Sequence, residues 1–423
     1  MDQFTFLHAA DIHLDSPLIS LSFQEPEQAE RIRRACRDAF ENLVATAIDR
    51  KVAFVILAGD LYDGDAPNMQ VAVFLRHQLA RLEKHGIGVF IVKGNHDAAN
   101  RITSGLSLPS NTHVFGHDQP ESVPVANLPV PVFVHGQSFK PGPVTDNLAA
   151  GYPSAIVGAL NIGILHTSLA GAPLHDPYAP CRLEDLTTKG YDYWALGHVH
   201  KGEVLSDEPW IVYPGNLQGR HARETGPKGC VLATVTDGRV ASVETLDLSV
   251  VCWQAVGLDL SAAEEEAQLL ESLRRGLAEA MTGAEGRPVA VRLRLHGTTK
   301  LHDLIEGRPK RLLQTVLELA GEIASGDLWV EKIVNETRPK TGGQELPGDT
   351  VTDFFPMVDE VARGPAPLRE ALRDELASLR AKLPEELKEL ETFRLAEDSE
   401  AMNVALSKVK ARLRARLSGE DGI

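Results

Sequence analysis

The stretch that decides the fold is FTFLHAADIH at residues 4–13, in which an apolar run ends abruptly at an aspartate and a histidine. The same pattern returns four times further along the chain. The repeats are VAFVILAGD at 52–60, VFIVKGNHD at 89–97, NIGILH at 161–166 and YDYWALGHVH at 191–200. Short apolar runs rich in β-branched residues are typical of buried strands. The sequence therefore predicts five buried strands, each followed by polar side chains at its carboxyl end.

Helical segments separate the first three of these runs. Residues 27–50 place Ile32, Cys36 and Phe40 on one apolar stripe, and residues 67–85 form a second helical segment that ends before Gly86. Alternation of strand and helix predicts a layered α/β fold. Beyond residue 202 the pattern changes to short strands, which predicts a second, mainly antiparallel sheet packed on the first. These strands are expected at 203–205, 210–213, 229–235 and 240–246.

Length and composition limit the classes of protein that this chain can belong to. The 423 residues are 43% hydrophobic and 24% charged, which are ordinary values for a globular protein of two or three domains. The net charge of −16 argues against a chain that binds nucleic acid by bulk charge alone. The four cysteines lack the spacing of a zinc knuckle or of a disulfide framework. With no signal-peptide pattern, we expect a cytoplasmic protein that does not associate with membranes.

The sequence predicts a large amino-terminal domain over residues 1–250, followed by two further regions. Residues 251–336 are expected to form a small α+β unit, and residues 337–350 are typical of a linker. The expected elements of that unit are strands at 251–260, 289–296 and 328–334 and helices at 261–281 and 310–324. Residues 351–423 are expected to be a helical tail. Its leucine stripes, at 368–383 and 406–417, either bind a partner helix or pack on their own core.

The polar residues that follow the five strands form the candidate functional site. Because the carboxyl ends of strands build the ligand site in sheets of this kind, we expect these residues to converge. Two pairs are spaced i, i+2, so that both members of each pair can face the same cluster. The candidate residues are Asp11, His13, Asp60, Asn95, His96, His166, His198 and His200.

The residue types select the chemistry of this site. Imidazole, carboxylate and amide groups without thiolate suit Mn²⁺, Fe²⁺ or Zn²⁺ better than Ca²⁺. Seven plausible ligands are too many for one ion and suitable for two, and a two-metal site is one solution for phosphoester cleavage. His96 directly follows the candidate ligand Asn95, so it can donate a proton or stabilise charge without binding metal.

The motifs DxH, GDxxD, GNHD, a lone histidine after a strand and GHVH, in this order, resemble those of the calcineurin-like metallophosphoesterase superfamily. The segments FTFLHAADIHLDSPL at 4–18 and YPGNLQGRHARETGPKGC at 213–230 resemble DNA repair exonucleases of the SbcD type, and among these the YhaO subgroup. The resemblance implies an αββα fold, a two-layer β-sandwich flanked by helices, with a small α+β cap and a helical tail.

The same resemblance implies a role for each candidate residue. One metal would be held by Asp11, His13, Asp60 and His200. The second would be held by Asp60, Asn95, His166 and His198, with Asp60 bridging the two ions. His96 would be the catalytic histidine, and Asp63 would support it.

The activity that the resemblance implies is two-metal hydrolysis of the DNA backbone, exonucleolytic and with single-strand endonuclease activity in addition. Mn²⁺ is the expected metal, with Fe²⁺ or Zn²⁺ as alternatives. The unit after residue 250 would cap the path of the DNA, and the tail helices would dock on an ATPase of the SbcC type. A homodimer is the family expectation.

Two features concern the segment 213–230 itself. Arg220, His221, Arg223 and Lys228 are candidate contacts to a DNA backbone, with a solvated polar loop as the competing interpretation. Chains of the SbcD type usually carry serine after Pro-Gly, whereas this chain has Asn216, which we interpret as a mark of the subgroup.

Asp15 and Asp97 are expected to be turn residues or to support neighbouring ligands rather than to bind metal.

Two rival functions remain open from the sequence. A metallophosphoesterase acting on a small nucleotide or cyclic nucleotide would have the same metal site, and the acidic composition would suit it. A non-enzymatic scaffold that has kept the fold is the other rival, which the complete set of site residues opposes.

Overall fold

The computed structural model describes five stretches of the chain and one isolated position. These are residues 2–16, 26–63, 69–98, 107–169 and 178–340, together with Glu375. The chain divides into two compact units. The first consists of Met1–Gln254 and Ala284–Ala290, and the second consists of Ala255–Gly283 and the chain from Val291 onward. In the described stretches, no helix is long and apolar enough to cross a membrane.

The first unit contains two six-stranded sheets. The strands of the first sheet are β1 (Gln3–Ala9), β2 (Phe54–Ala58), β3 (Gly88–Val92), β4 (Thr112–Val114), β11 (Gly229–Thr236) and β12 (Arg239–Asp247). Their order across the sheet is β12-β11-β1-β2-β3-β4. Strands β1 to β4 run parallel, whereas β11 pairs antiparallel with both β1 and β12.

The second sheet is also mixed. Its strands are β5 (Glu121–Pro124), β6 (Val132–Gly136), β7 (Leu160–His166), β8 (Tyr193–Gly197), β9 (Glu203–Asp207) and β10 (Trp210–Tyr213). The order across the sheet is β5-β6-β7-β8-β10-β9. Strands β6, β7, β8 and β10 are parallel, and β5 and β9 close the two edges in antiparallel pairing.

The two sheets pack face to face through an apolar core. Phe6 of the first sheet stacks on Phe54 with ring centroids 4.9 Å apart, and it meets the edge of Tyr193 of the second sheet at 5.2 Å. Ile56 and Ile162 are fully buried in the same cluster. Each such side chain contributes about 1.5–3 kcal/mol by its removal from water, so this core holds the two layers together.

Helices cover both outer faces of the sandwich. The first sheet carries α1 (Pro26–Asp49) and α2 (Met69–Lys84), and buried residues such as Phe40, Leu43 and Leu75 share a core with that sheet. The second sheet carries α4 (Leu183–Thr187). A further short helix, α3 (Asn95–Ala98), follows β3. The first unit is therefore an αββα sandwich.

The second unit combines helices with a three-stranded sheet ordered β13-β14-β15. The strands are β13 (Cys252–Asp259), β14 (Val289–Thr299) and β15 (Leu328–Pro339), and the first residues of β13 and β14 still fall within the bounds of the first unit. The helices are α5 (Glu266–Ala280), α6 (His302–Gly307) and α7 (Pro309–Ile323). Leu269, Leu273 and Leu277 recur every fourth residue of α5 and are buried. This spacing places them on one face of the helix, which explains why the sequence forms a helix there.

The structure corrects three predictions about the fold. The strands beyond residue 202 do not form a separate antiparallel sheet: β11 and β12 extend the first sheet, and β9 and β10 extend the second. The reason is that each joins an open strand edge: β11 pairs with β1, more than 200 residues away in the sequence, and β10 pairs with the nearby β8. Accordingly, the five strands that precede the candidate site belong to two sheets rather than to one.

The third correction concerns the expected linker at 337–350, whose first residues belong to a strand because β15 continues to Pro339. Strands β4, β5 and β6 and the short helices α3, α4 and α6 were not predicted. The helical tail proposed for residues 351–423 lies outside the described residues, apart from Glu375.

Candidate metal centre

The candidate residues gather where strands of both sheets end. Asp11 and His13 follow β1, Asp60 follows β2, and Asn95 and His96 open α3 directly after β3. From the second sheet, His166 is the last residue of β7, and His198 and His200 follow β8. The site therefore lies at one end of the sandwich and takes residues from both layers.

The backbone at these strand ends adopts unusual conformations. Asp11, His13 and Asp60 have φ values of 51°, 47° and 53°, in the left-handed region that non-glycine residues seldom adopt. Backbone hydrogen bonds hold them there, because the Asp11 N–H donates to Gly59 O and the His13 N–H donates to Asp60 O, both at 3.0 Å. Such conformations persist where surrounding structure enforces them, which is common at functional sites.

Two glycines of the motifs permit the close approach of these strand ends. A methyl group on Gly94 would overlap the carboxylate of Asp60, and one on Gly197 would overlap the carbonyl oxygen of Ala58. The glycines of GNHD and GHVH are therefore required because their neighbours come too close for any side chain.

One part of the cluster consists of Asp11, His13 and His200. The Nε2 atoms of His13 and His200 lie 3.3 Å apart, and His200 Nε2 is 3.9 Å from Asp11 Oδ1. All three residues offer ligand atoms within 4.8 Å of one another. Two imidazole nitrogens that face each other beside a carboxylate are well placed to share a cation.

A second part of the cluster surrounds His166. Its Nε2 lies 3.1 Å from Asn95 Oδ1 and 3.4 Å from Asp60 Oδ2. Asp60 Oδ2 is also 4.0 Å from His13 Nε2, so this carboxylate lies between the two parts. That position is the one that a bridging ligand requires.

The Nδ1 atoms of His166 and His200 have hydrogen-bond partners of their own. His166 Nδ1–H donates to the carbonyl oxygen of Ala58 at 2.9 Å. His200 Nδ1 lies 2.7 Å from the carboxylate of Glu224, which accepts the hydrogen bond. A carbonyl and a carboxylate can only accept, so Nδ1 carries a proton in both rings and Nε2 is the nitrogen that faces the cluster.

His198 occupies a different position from the other predicted ligands. Its backbone N–H donates to both carboxylate oxygens of Asp11, at 3.1 and 3.0 Å. Its ring meets that of His166 at 5.3 Å. Three groups of ligand atoms within 4.8 Å of one another occur among the described residues, and none includes His198. Metal binding by His198 stays a prediction.

His96 lies at the rim of the cluster. Its side chain is 39% exposed, and its Nδ1 is 3.3 Å from Asp63 Oδ1. The other oxygen of Asp63 accepts hydrogen bonds from Ser16 Oγ at 2.6 Å and from Arg220 at 3.2 Å. Asp63 thus holds a fixed place beside His96. One of the three candidate ligand groups joins His96 to His13 and Asp60, so a role of His96 as a ligand has to be tested as well.

The charges within the cluster influence one another strongly. Burial alone would raise the pKa of Asp60, but His166, through its charge and its hydrogen bond, holds that pKa well below its usual range. Burial alone would lower the pKa of His166, yet Asp60 raises it to about 9. Burial raises the pKa of Asp11. A cation bound here would relieve the burial of both carboxylates.

The donor set fits two divalent cations. The donors are nitrogen and oxygen only, they are mostly buried, and His13 Nδ1 has no hydrogen-bond partner in the described part of the chain. Two carboxylates facing two dications would leave about +2 at the site. These residues can therefore hold the metals that the sequence predicts.

Sequence reasoning missed Glu224, which is 8% exposed and contacts His200 directly. Although burial opposes its ionisation, the hydrogen bond with His200 and the charges of His200 and Arg220 hold the pKa of Glu224 well below its usual range. The signal available in the sequence was an acidic residue in an otherwise basic loop, and nothing in its spacing links it to His200.

The four residues predicted to contact DNA have different surroundings. Arg223 is exposed, and His221 is partly exposed and close to Glu224. Arg220 pairs with Asp63 at 3.2 Å. Lys228 is 7% exposed, and its ammonium group donates to the carbonyl oxygen of His200 at 2.7 Å, a position that disfavours contact with DNA. Contact of these four residues with DNA stays a prediction.

Asp15 and Asp97 support the neighbourhood of the site, as predicted. Asp15 forms a two-pronged ion pair with Arg37 of α1. Asp97 is buried and accepts the backbone N–H groups of Leu61, Tyr62 and Gly94. The contacts of Asp97 fix the turns that follow β2 and β3, and the ion pair of Asp15 ties the turn after β1 to α1.

Comparison with known families and proteins gives two kinds of match. The chain matches the calcineurin-like phosphoesterase family over residues 4–202 and the middle domain of metallophosphoesterase YhaO over residues 253–338. An uncharacterised metallophosphoesterase, YhaO of Bacillus subtilis, is 34% identical, and the match covers 80% of this chain and 83% of that protein.

More distant relatives are DNA double-strand break repair proteins. Mre11 of Sulfurisphaera tokodaii is 23% identical over 84% of this chain and 87% of its own length. Among solved structures, TT1561 of Thermus thermophilus is 16% identical, covers 58% of this chain and 99% of that chain, and has a TM-score of 0.34. A dimetal phosphatase from Danio rerio is 14% identical over 59% of this chain and all of that chain, also with a TM-score of 0.34.

The similarity to YhaO extends over most of both chains, and the family match covers every strand end that contributes to the cluster. The chain therefore belongs to the calcineurin-like metallophosphoesterase family, whose members bind two divalent metal ions and hydrolyse phosphoester bonds, and within that family to the subgroup that carries the YhaO middle domain.

Proposed function

We propose that this chain is a two-metal phosphodiesterase that cleaves the DNA backbone, chiefly as an exonuclease and with single-strand endonuclease activity in addition. The observation that carries this proposal is the extent of the match to the repair protein Mre11 of Sulfurisphaera tokodaii, which covers 84% of this chain. A match confined to the sandwich would suit any phosphoesterase of the family. The match to Mre11 covers more residues than Met1–Gln254 contains, so it also includes part of the second unit.

The residues of the cluster would divide between two ions. Asp11, His13, Asp60 and His200 would hold one, and Asp60, Asn95, His166 and His198 would hold the other. When bound, two such cations polarise a phosphate and lower the pKa of a water molecule. Mn²⁺ is the metal we propose, because the donors are a mixture of nitrogen and oxygen without thiolate.

His96 would act on the substrate rather than on the metals. Its exposed ring at the rim can reach a phosphodiester, and Asp63 beside Nδ1 orients it. A ring held in this way can donate a proton from Nε2 to the leaving oxygen or stabilise charge on the phosphate. Arg220, which shares Asp63 with His96, would approach the same phosphate.

Interaction with DNA would depend on more than the charge of the chain. The net charge of −16 opposes DNA binding, which makes an ATPase of the SbcC type, with its coiled coil, a suitable partner. We propose that the second unit caps the path of the DNA, that the tail docks on this partner, and that the chain forms a homodimer. The four cysteines are free thiols, which fits the proposed cytoplasmic location.

The acidic composition favours one rival, a phosphodiesterase of small nucleotides or cyclic nucleotides. The decisive experiment measures Mn²⁺-dependent hydrolysis of end-labelled duplex DNA and of bis-p-nitrophenyl phosphate in parallel. The proteins are the wild type, His96→Ala and, as a matched control, His117→Ala, which removes an exposed histidine outside the cluster.

If the wild type and His117→Ala degrade DNA, and His96→Ala keeps both metals but degrades none, the nuclease proposal and the role of His96 stand. Cleavage of the small diester alone, also after addition of the ATPase partner, would contradict the DNA assignment. Loss of metal from His96→Ala would make His96 a ligand instead.

A further inference from the structure

The carboxylate of Glu224 is surrounded by hydrogen-bond donors. Its Oε1 accepts from His200 Nδ1 at 2.7 Å, and its Oε2 accepts from Asn216 Nδ2 at 2.9 Å and from the Arg220 N–H at 2.7 Å. His221 Nε2 lies 3.6 Å from Oε1. Since every neighbour donates, this site requires an ionised carboxylate, which offers acceptors on both oxygens.

We propose that Glu224 is the positioning residue for His200, fixing its tautomer and ring direction so that an unprotonated Nε2 faces Asp11 and His13. This inference rests on the proposed ligation of metal by His200. An imidazole whose Nδ1–H is bound to a carboxylate presents a more basic Nε2 in a fixed direction. The Arg220 guanidinium lies 3.4 Å from the same Nδ1, but the shorter contact with the charged carboxylate determines where the proton lies.

The loop that carries Glu224 also fixes the backbone of His200. The His200 carbonyl oxygen accepts from Lys228 Nζ at 2.7 Å and from the Asn216 N–H at 3.3 Å. Gly215 has a φ of +78°, and a side chain there would collide with this stretch of backbone. The segment 213–230 therefore holds both the ring and the main chain of one predicted ligand.

This arrangement gives a physical reason for Asn216, which stands where chains of the SbcD type usually have serine. Asn216 is fully buried, and its amide donates to Glu224 and also to the carbonyl oxygen of Gln218 at 2.8 Å. An amide has two N–H donors on a longer side chain, whereas a serine has one. Asn216 can thus hold Glu224 in place while it closes its own turn.

The substitution Glu224→Gln separates positioning from mere packing because it keeps the shape of the side chain. If the new amide oxygen faces His200, the NH₂ group meets two donors, Asn216 Nδ2 and the Arg220 N–H. If the amide turns, its NH₂ faces His200 Nδ1, which must then accept, and the proton moves to Nε2. Either outcome weakens metal binding by His200.

The test is titration calorimetry of the metal-free full chain with Mn²⁺, for the wild type, Glu224→Gln and Glu121→Gln. The last is a matched control, because Glu121 also accepts from a histidine, His113, at 3.0 Å but outside the cluster. We expect Glu224→Gln to weaken one of two Mn²⁺ sites by about 10- to 100-fold, as is usual for groups that orient a metal ligand. The other site and the control should stay unchanged.

A second measurement does not depend on metal. In protein labelled with ¹⁵N-histidine, the ring signals of metal-free chain identify which nitrogen carries the proton. A ring protonated on Nδ1 in the wild type and on Nε2 or disordered between both in Glu224→Gln supports the inference. His200→Asn, which lacks the ring, assigns the signal.

Unchanged affinity at both sites in a folded Glu224→Gln protein would overturn the inference and leave the proposed function intact. If that variant fails to fold, Glu224→Asp takes its place, because it keeps the charge but has a shorter side chain. An unchanged Mn²⁺ affinity in Glu224→Asp would also overturn the inference. A wild-type chain that binds no Mn²⁺ would overturn the proposed function and this inference together.

Discussion

His166 and His200 bring the same ring to the same cluster, and the protein holds them in different ways. His166 ends a strand of the second sheet, is fully buried, and donates to the backbone of Ala58 in the first sheet. His200 follows a strand, has a side chain that is 25% exposed, and donates to the side chain of Glu224, 24 residues further along the chain.

This difference separates two ways of orienting a ligand. The orientation of His166 depends on the packing of one sheet on the other, because its acceptor is a main-chain carbonyl that no substitution removes. The orientation of His200 depends on one loop and its side chains. We call the part of the centre around His166 the strand-held half and the part around His200 the loop-held half. The strand-held half should respond to changes in backbone packing, and the loop-held half to changes of single side chains.

The largest effect is expected where the two halves meet. Asp60→Asn removes the carboxylate that approaches both His166 and His13, so both halves would lose a proposed ligand. We expect hydrolysis of bis-p-nitrophenyl phosphate to fall by about 1000-fold or more, since metal stabilisation of charge is worth several kcal/mol. Elemental analysis should show loss of metal. Asp146→Asn, at an exposed position, is the control, and a fall of less than tenfold would show that Asp60 does not bridge.

Two glycine substitutions compare the halves in stability. Gly197→Ala would drive a methyl group into the backbone of Ala58 and into His166, so we expect a loss of about 3 kcal/mol or more in the free energy of unfolding. Gly226→Ala, in the loop that holds His200, meets no neighbour within 4 Å and costs only the strain of its φ of +86°, about 1–2 kcal/mol. Urea unfolding of metal-free protein measures both, and equal losses would contradict the contrast.

The strand-held half also predicts a dependence on pH. Asp60 raises the pKa of His166 to about 9 from an ordinary value of 6.5, so a metal must displace a proton from this ring below pH 9. Mn²⁺ affinity should then rise by about tenfold per pH unit between pH 7 and 9 through this group. Calorimetry in buffers of different ionisation enthalpy counts the released protons.

The metal-free protein should show the opposite trend. A histidine whose pKa is raised on folding contributes stability that is complete below pH 6.5 and is lost as the pH rises through about 9. His166→Asn, which keeps a donor for Ala58 but has no titrating ring, should lose this part of the pH dependence. A slope that persists in the variant would assign it to another group.

The smallest effect is expected at Lys228. Lys228→Met removes the donor to the His200 carbonyl oxygen, which keeps its hydrogen bond from the Asn216 N–H. We expect Mn²⁺ affinity to fall by less than about tenfold, below the loss in Glu224→Gln. Calorimetry of both variants ranks them, and the reverse order would show that the backbone, rather than the ring, controls this ligand.

The sequence predicted those features that combine a local pattern with recognisable chemistry. An apolar run that ends at Asp11 and His13, or at His198 and His200, predicts both a strand and a site. The structure brings these strand ends together. Strands such as β5 (Glu121–Pro124) are half exposed and carry no apolar run, so nothing local marks them.

Features that depend on distant pairing could not be predicted. The hairpin β9–β10 joins the second sheet, whereas the hairpin β11–β12 joins the first. The reason is that β11 pairs with the edge of β1, more than 200 residues away in the sequence. Lys228 and Glu224 lie in a polar loop that looks solvated in the sequence. Only the folded chain shows that Lys228 is buried against the backbone of His200 and Glu224 against its ring.

Anomalous diffraction at the manganese absorption edge, from crystals of the wild-type chain grown with Mn²⁺, tests whether the two halves form one two-metal centre. We expect two peaks about 3.5–4 Å apart, with the carboxylate of Asp60 between them. His166 Nε2 should ligate one ion and His200 Nε2 the other. A single peak, or peaks that leave either histidine without metal, would contradict the two-metal centre described above.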